Sequence, residues 1–185
     1  MLTADTPIDG LDGLTVGDFW SWAYSDLLSN ANRGVLAEFI VAVALGVYDQ
    51  PRLEWDACDV TYRDQGIEVK SSAYLQTWQQ EKLSLIIFDI ARRDEVWDAR
   101  TNTWIKTSGR TAAVYVFCVF AERDPEKANV PDLSQWEFYV LPTATIDREL
   151  GNQKTVSLNP LRKLVHPIPF SEIRRAVDAA LQLMR

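Results

Sequence analysis

The order of amphipathic segments along the chain predicts a mixed α/β fold, a β-sheet flanked by helices. Two helical segments come first, several strand-like segments follow, and a helix closes the sequence. The composition, with 47% hydrophobic and 24% charged residues, is ordinary for a globular protein and excludes wholesale disorder. A chain of 185 residues can bury a core of its own, so we expect residues 1–185 to form a single domain.

The helices are predicted from apolar residues that recur every three or four positions. The first helix covers residues 15–28, and the second, at about 33–47, is apolar nearly all round, which is typical of a buried helix. Residues 29–32 break the first helix and offer caps for the second. A short helix is expected to start at residues 159–160, and Ser171 is expected to cap the last one.

The strands are predicted from β-branched and aromatic runs bounded by turn residues. They fall at residues 53–62, 67–72, 83–90, 112–120, 136–141 and 154–158.

Acidic and basic side chains meet on the first predicted hairpin. If residues 63–66 form a four-residue loop, Thr61 lies opposite Glu68 and Asp59 lies opposite Lys70. Because side chains alternate along a strand, Asp59, Glu68 and Lys70 then share one face, within about 5–8 Å of one another. The other face is apolar and carries Cys58, Val60, Tyr62, Ile67 and Val69.

Two carboxylates this close repel each other unless a cation lies between them. Magnesium suits such a site, because it takes one or two carboxylates and keeps waters for phosphate oxygens. Lys70 could activate a water or offset charge on a scissile phosphate. The cluster therefore points to hydrolysis of a phosphodiester.

Glu38 is the only charged residue between Gly34 and Tyr48, in the middle of the apolar second helix. An ionised glutamate on a buried face is costly unless it is paired or bound to metal. Either Arg33 pairs with it, or it points into the pocket of Asp59 and Glu68, and the second arrangement is the one we expect.

These residues, in this order, resemble the PD-(D/E)XK nuclease superfamily of restriction-endonuclease-like enzymes. The resemblance covers residues 33–78 and rests on Glu38, Asp59 and the run Glu68-Val69-Lys70. It implies a restriction-endonuclease-like α/β fold with a mixed central sheet, dependence on Mg²⁺ or Mn²⁺, and cleavage of DNA. Many relatives cut two strands as dimers, which leaves a homodimer as one expectation for the assembly.

The resemblance also assigns roles to single residues. Asp59 and Glu68, with the Val69 carbonyl, would bind the metal, Lys70 would be the catalytic lysine, and Glu38 would be an accessory acid. Related nucleases often have polar pocket residues after the lysine, which makes Ser72 and Gln76 candidates for contacting substrate. This chain has Cys58 where the family has a proline.

Several alternatives stay open at this level. Asp56 competes with Asp59 as ligand, although its position should turn it the other way unless a bulge intervenes. Glu68 and Lys70 could form no more than a surface salt bridge. The whole protein could be an inactive nuclease-fold module that binds nucleic acid or a protein, or a hydrolase of small phosphate esters.

Charge and single residue types exclude other classes. A net charge of −7 argues against a general nucleic-acid coat, and the acid excess lies in residues 1–70, which hold 12 acidic and 4 basic side chains. His166 is the only histidine, too few for zinc fingers or histidine-rich zinc hydrolases. No apolar run of about 18 residues or signal peptide is recognisable, so we expect a cytoplasmic protein without a membrane segment, with Cys58 and Cys118 as buried free thiols.

Seven tryptophans are available to stack on unpaired bases, and Trp78 is the best placed, because it follows the catalytic strand. Basic side chains could contact phosphates, although a solvated surface is the ordinary role for such residues. The candidates are Arg92, Arg93, Arg100, Lys106, Arg110, Arg162 and Lys163.

Overall fold

A mixed sheet of four strands lies at the centre of the protein, in a computed structural model that describes residues 1–54, 56–99 and 101–183. The helices of the described residues are Val16–Tyr24 (α1), Asn30–Leu45 (α2), Thr143–Leu150 (α3), Leu158–Leu164 (α4) and Ile173–Gln182 (α5). The strands are Val60–Tyr62 (β1), Gln65–Ala73 (β2), Ile87–Asp89 (β3), Arg93–Asp98 (β4), Thr103–Gly109 (β5), Val114–Phe120 (β6), Trp136–Pro142 (β7) and Thr155–Ser157 (β8). Single 3-10 turns lie at Leu133–Gln135 and Phe170–Glu172.

The strand order of the central sheet is β1-β2-β6-β7. The β1–β2 and β6–β7 pairs are antiparallel, whereas β2 and β6 run parallel, with Glu68 beside Tyr115 in the register. All seven residues of β6 are buried, as expected for a strand covered on both faces. The predicted α/β class with a mixed central sheet is thereby confirmed.

Each face of the sheet has its own apolar core, because side chains alternate across the strands. Val69 and Val116 pack on the face covered by α2 and α5. Phe117 and Tyr139 pack on the opposite face, together with apolar residues of the β3–β8 ribbon, α3 and α4. Glu68 and Lys70 have the parity of this second face, so they lie at the edge of the second core.

The second helix is well terminated, which fixes the position of Glu38 along it. Gly46 ends α2 with φ 76°, a left-handed conformation that glycine adopts without a steric penalty, and its N–H bonds back to Ala42 and Val43. Arg174 of α5 donates to the Ala44 carbonyl at 2.9 Å. By contrast, none of the nine residues of α1, all of them described, is buried.

The turn of the first hairpin has two residues, not the four that were predicted. Tyr62 pairs with Gln65, and Arg63 and Asp64 have φ values of 51° and 60°. These angles are those of a type I′ turn, whose twist matches the twist of the flanking strands. The shift of register is two positions, so the faces are kept, but Asp59 falls opposite Glu68 and not opposite Lys70.

One predicted strand is shorter than expected, and one hairpin of the structure was not predicted. Of the predicted strand at 53–62 only Val60–Tyr62 is formed, and Trp55 lies outside the described residues. The β4–β5 hairpin was not predicted, because its strands are largely exposed and carry few apolar residues to reveal their period. Cys118 is buried, but Cys58 is only partly buried and packs against the second core, so its assignment to the apolar hairpin face was wrong. Both cysteines are free thiols.

The helices show similar adjustments. The last helix begins at Ile173 with Glu172 at its N-cap, one residue beyond the start that a Ser171 cap would give, because a 3-10 turn takes up Phe170–Glu172. Within the part of the chain that the structure describes, no helix has the length and apolar character needed to cross a bilayer.

The two-residue turn can be tested at Asp64. Replacing Asp64 with glycine should raise the free energy of unfolding by about 0.5–1 kcal/mol, because glycine accepts a positive φ without strain. The matched variant Asp64→Ala should lower it. Both effects can be measured by urea denaturation. A loss of stability in Asp64→Gly equal to that in Asp64→Ala would contradict the turn.

Candidate active site

Asp59, Glu68 and Lys70 lie in one cavity of about 340 Å³, which we call the carboxylate cavity. The β4–β5 hairpin forms the opposite wall. The residues that line the cavity are Asp56, Ala57, Asp59, Glu68, Lys70, Asp89, Ala91, Arg93, Glu95, Val96, Trp97, Trp104, Arg110, Thr111 and Tyr115. The structure therefore brings together three of the four residues that the sequence predicted to be catalytic.

Asp59 is fixed by the backbone of β2. Asp59 directly precedes β1, and its Oδ2 accepts a hydrogen bond of 2.7 Å from the Val69 N–H. The N–H and C=O of one residue in a strand point to the same side, so the Val69 carbonyl is also directed to this edge. The hydrogen bond uses only Oδ2, so the bond itself does not occupy Asp59 Oδ1.

Glu68 and Lys70 are next-but-one neighbours on the same face of β2. The Lys70 Nζ lies 2.5 Å from Glu68 Oε1, and the two side chains are 22% and 19% exposed. Each group therefore neutralises the other while keeping contact with solvent. The amine stands beside one of the two carboxylates, as the predicted site requires.

The Asp59 carboxylate is electrostatically unfavourable as it stands. Its partial burial, followed by repulsion from Glu68, raises its pKa to about 7, although the Val69 hydrogen bond opposes the shift. Repulsion from Glu38 adds to the rise, and attraction to Lys70 lowers it. A cation placed between these acids would relieve the repulsion.

Glu38 lies in a neighbouring space and not with Glu68. Its carboxylate is bound by the guanidinium of Arg52, whose second nitrogen donates to Glu38 Oε1 at 3.1 Å. The pair lines a more apolar cavity of about 420 Å³ between α2 and the segment before β1. Asp56 and Asp59 line both cavities, so Glu38 reaches Asp59 from the other side.

Glu38 therefore adopts neither predicted arrangement: it does not pair with Arg33, and it does not share a cavity with both Asp59 and Glu68. Arg33 is 2% exposed and does not pair with it, since it donates instead to the Leu28 carbonyl at 2.7 Å and to Asn30. Burial lowers the pKa of Arg33 to about 10. The residue that binds Glu38, Arg52, lies fourteen positions further along the chain, where helical spacing gives no signal.

Asp56 faces the carboxylate cavity, although strand parity predicted the opposite. Residues 56–59 precede β1 and do not form a strand, so the alternation rule does not apply to them. Asp56 Oδ1 accepts hydrogen bonds from the N–H groups of Ala57, at 2.8 Å, and Ala99, at 3.3 Å. Its main role is to connect this segment to the end of β4.

The two predicted substrate contacts lie away from the cavity. Ser72 shares the face of Glu68 and Lys70 but is further along β2, outside the cavity lining. Gln76 is used locally: its side-chain amide donates to the Ala73 carbonyl at 3.1 Å, and its backbone N–H donates to Gln80 Oε1 at 2.7 Å. Trp78 is 59% exposed and lines neither the carboxylate cavity nor the apolar one.

The basic residues of the cavity are mostly occupied by structural contacts. Arg110 is a buried anchor that pairs with Asp147 and donates to the carbonyls of Ile90, Gly151 and Gln153. Arg93 pairs with Asp89 at 3.1 Å, and Arg100 lies outside the described residues. The lining holds five carboxylates and three basic groups, so its formal charge is negative.

Three aromatic residues line the cavity: the sequence offered Trp97 and Trp104 only among its seven tryptophans, and it gave no indication of Tyr115. Tyr115 stands beside Glu68 across the parallel β2–β6 pair, and burial, followed by repulsion from Glu68, raises its pKa. Trp97 and Trp104 face each other across the β4–β5 hairpin. The alternation of side chains along β6 would place Tyr115 beside Glu68 only if β6 were already known to be the parallel neighbour of β2.

In the described ranges, no group of three or more histidine, cysteine, aspartate or glutamate side chains is arranged to hold a metal ion. The carboxylate cavity instead offers the carboxylates of Asp59 and Glu68 beside the Lys70 amine. Magnesium binds commonly through one or two carboxylates and completes its shell with water. The donor set thus fits a hydrated magnesium ion better than a metal that demands a full protein cage.

A scan against protein-family models, a search of curated proteins and a search of solved structures find no match to this chain.

Because the Asp59 carboxylate is destabilised, replacing it with a neutral side chain should raise the free energy of unfolding, and the gain should depend on pH. A folded-state pKa raised from 3.8 to about 7 costs stability progressively as the pH rises from 4 to 7, and the full cost remains above 7. In EDTA, Asp59→Asn should therefore raise the free energy of unfolding by on the order of 1–3 kcal/mol at pH 8, and by much less at pH 4.

Urea denaturation at both pH values measures this gain. Asparagine still accepts the Val69 hydrogen bond, so the backbone contact is kept. The control Glu81→Gln removes an exposed carboxylate and should show no such pH dependence. A stability of Asp59→Asn equal to that of the wild type at pH 8 would show that the carboxylate is not under repulsion.

Proposed function

We propose that this protein is a divalent-metal-dependent nuclease that hydrolyses DNA phosphodiester bonds. The observation that carries the proposal is the convergence of Asp59 and Glu68 on one cavity beside the Lys70 amine, with Asp59 oriented by the Val69 N–H. Carboxylates that accept a metal next to a fixed amine are the groups that phosphodiester hydrolysis needs.

The charge of the cavity supports a metal as part of the site. A phosphate approaching five carboxylates and three basic groups, each of which is already in an ion pair with an acid, would meet a repulsive field. Asp59, Glu68 and the Val69 carbonyl would hold Mg²⁺ or Mn²⁺. When bound, the ion supplies positive charge to a phosphate oxygen and lowers the pKa of a coordinated water.

The protein's own groups then have distinct tasks. Lys70 holds a water or offsets negative charge that develops on the scissile phosphate. The Val69 N–H keeps Asp59 in one orientation, and Glu38, which Arg52 holds on the far side of Asp59, adds negative charge as an accessory acid. Tyr115 is buried beside Glu68 in the strand register and lines the same cavity.

The proposal includes a restriction-endonuclease-like fold. The restriction-endonuclease-like arrangement is supported by a helix that carries Glu38, followed by a hairpin that carries Asp59, Glu68 and Lys70 on one face of a mixed sheet. We propose DNA as the substrate on the basis of this family resemblance, and a homodimer as the assembly that would cut two strands.

One observation favours a second function, an inactive module of the same fold that binds nucleic acid or a protein. The Lys70 and Glu68 side chains already satisfy each other at 2.5 Å, which is also the geometry of a purely structural ion pair. In that case the cavity would bind its partner without cutting it.

A cleavage assay distinguishes the two functions. Labelled single-stranded and double-stranded DNA should be cut in Mg²⁺ or Mn²⁺ and left intact in EDTA. Lys70→Ala should reduce the rate by about 100-fold or more, since it removes a group that acts on the transition state. The matched control Lys82→Ala removes an exposed lysine outside the cavity and should leave the rate unchanged.

Two results would overturn the nuclease proposal. DNA binding without cutting in either metal would identify the inactive module. Cutting that persists in Lys70→Ala, with circular dichroism showing both proteins folded, would assign the activity to other groups or to a contaminant.

A further inference from the structure

The β4–β5 hairpin places two tryptophans on the wall of the carboxylate cavity. Trp97 and Trp104 are direct cross-strand partners, and their ring centroids lie 5.5 Å apart at an angle of 68°. Both rings line the same cavity as Asp59, Glu68 and Lys70. An aromatic surface therefore lines the same cavity as the groups proposed to hydrolyse the phosphodiester.

Core packing does not account for the position of Trp104. Its side chain is 59% exposed, and its neighbour Ile105 is 45% exposed, whereas Trp97 is half-buried beneath it. The hairpin forms a two-stranded sheet of its own, separate from the central sheet. The edge-to-face contact with Trp97 thus holds the Trp104 ring in place while most of its surface remains open.

The chemistry of the cavity limits what can cover this ring. The lining combines negative charge with tryptophan faces, which suit a flat aromatic group, and the proposed hydrolysis requires a phosphate that a cation bridges to the acids. An unpaired nucleotide has both. In a duplex the faces of each base are covered by its stacked neighbours, and a space of about 340 Å³ matches a small-molecule pocket in size, not a double helix.

We propose that the β4–β5 hairpin binds an unpaired DNA strand by stacking a base on Trp104, supported by Trp97, and that the enzyme therefore acts on single-stranded DNA or on unpaired ends. The inference rests on the proposed nuclease function, because it names the substrate of that same site. Trp104 is a substrate-binding residue here, and Trp97 is a positioning residue that acts through it.

Binding can be measured without cutting by using a Lys70→Ala background in Mg²⁺. Fluorescence anisotropy of a labelled oligo-dT, alone and annealed to oligo-dA, gives the two affinities. The single strand should bind at least tenfold more tightly than the duplex. Adding Trp104→Ala should weaken single-strand binding at least fivefold, in keeping with the loss of one stacked base, and Trp104→Phe should restore most of the affinity.

Trp78→Ala is the matched control, since Trp78 is as exposed as Trp104 and lies outside the carboxylate cavity. It should leave both affinities unchanged. Equal binding of single strand and duplex, equal effects of Trp104→Ala and Trp78→Ala, or no rescue by Trp104→Phe would each overturn the stacking proposal. Because Trp104 is largely exposed, its replacement leaves the fold intact, which circular dichroism verifies.

The outcome is separable from that of the nuclease proposal. If the protein with Lys70 intact cuts DNA in a metal-dependent way and Trp104→Ala cuts equally well, the stacking proposal is overturned and the nuclease proposal stands. Single-strand binding that depends on Trp104, without any cutting, would support the stacking site and overturn the nuclease.

Discussion

The hydrogen bond from the Val69 N–H to the Asp59 carboxylate is the contact on which the site depends. At 2.7 Å it replaces the next rung of the β1–β2 ladder, which ends at Val60. The backbone donor of β2 thus holds an acidic side chain where a strand would otherwise continue. As a result, Asp59 is turned toward Glu68 and into the carboxylate cavity, at the cost of electrostatic repulsion between the two acids.

The central sheet gives this contact a rigid base. Strand β2 is held between β1 and the fully buried β6, and the two cores on either side of the sheet prevent it from twisting out of register. Glu68 and Lys70 are carried by the same strand, so their spacing from the Val69 N–H is set by the pleat and not by loop geometry. The opposite wall of the cavity is a separate hairpin with exposed strands, which suits a surface that admits a ligand.

The sequence was sufficient for those parts of the site that depend on local periodicity. The alternation of residues along β2 placed Glu68 and Lys70 on one face, and both line the carboxylate cavity. Asp59 lies with them although it precedes β1 and follows no strand alternation, because the Val69 N–H holds its carboxylate. The turn is two residues shorter than predicted, a shift that preserves the faces of β1 and β2. The strongly apolar β6 and helix α2 were also predictable, because their burial is recorded in their composition.

Contacts between distant segments could not be predicted from one sequence. The pairing of Glu38 with Arg52 depends on the path of an irregular segment, and the position of Tyr115 depends on which strand lies next to β2. The β4–β5 hairpin escaped prediction because its exposed strands lack an apolar period, so Trp97 and Trp104 gave no signal of their place at the cavity. Gln76 and Trp78 are predicted to contact substrate only because they follow Lys70 closely in sequence. The chain leaves the cavity before it reaches them.

Titration of the protein with Mn²⁺, followed by isothermal calorimetry at pH 7.5, tests the central claim most directly. We expect saturable binding of one ion per chain, weakened by about tenfold or more in both Asp59→Asn and Glu68→Gln. Asp64→Asn, which changes an exposed carboxylate in the turn of the same hairpin, should bind like the wild type. Identical binding by Asp59→Asn and the wild type, or no saturable binding by the wild type, would contradict the account.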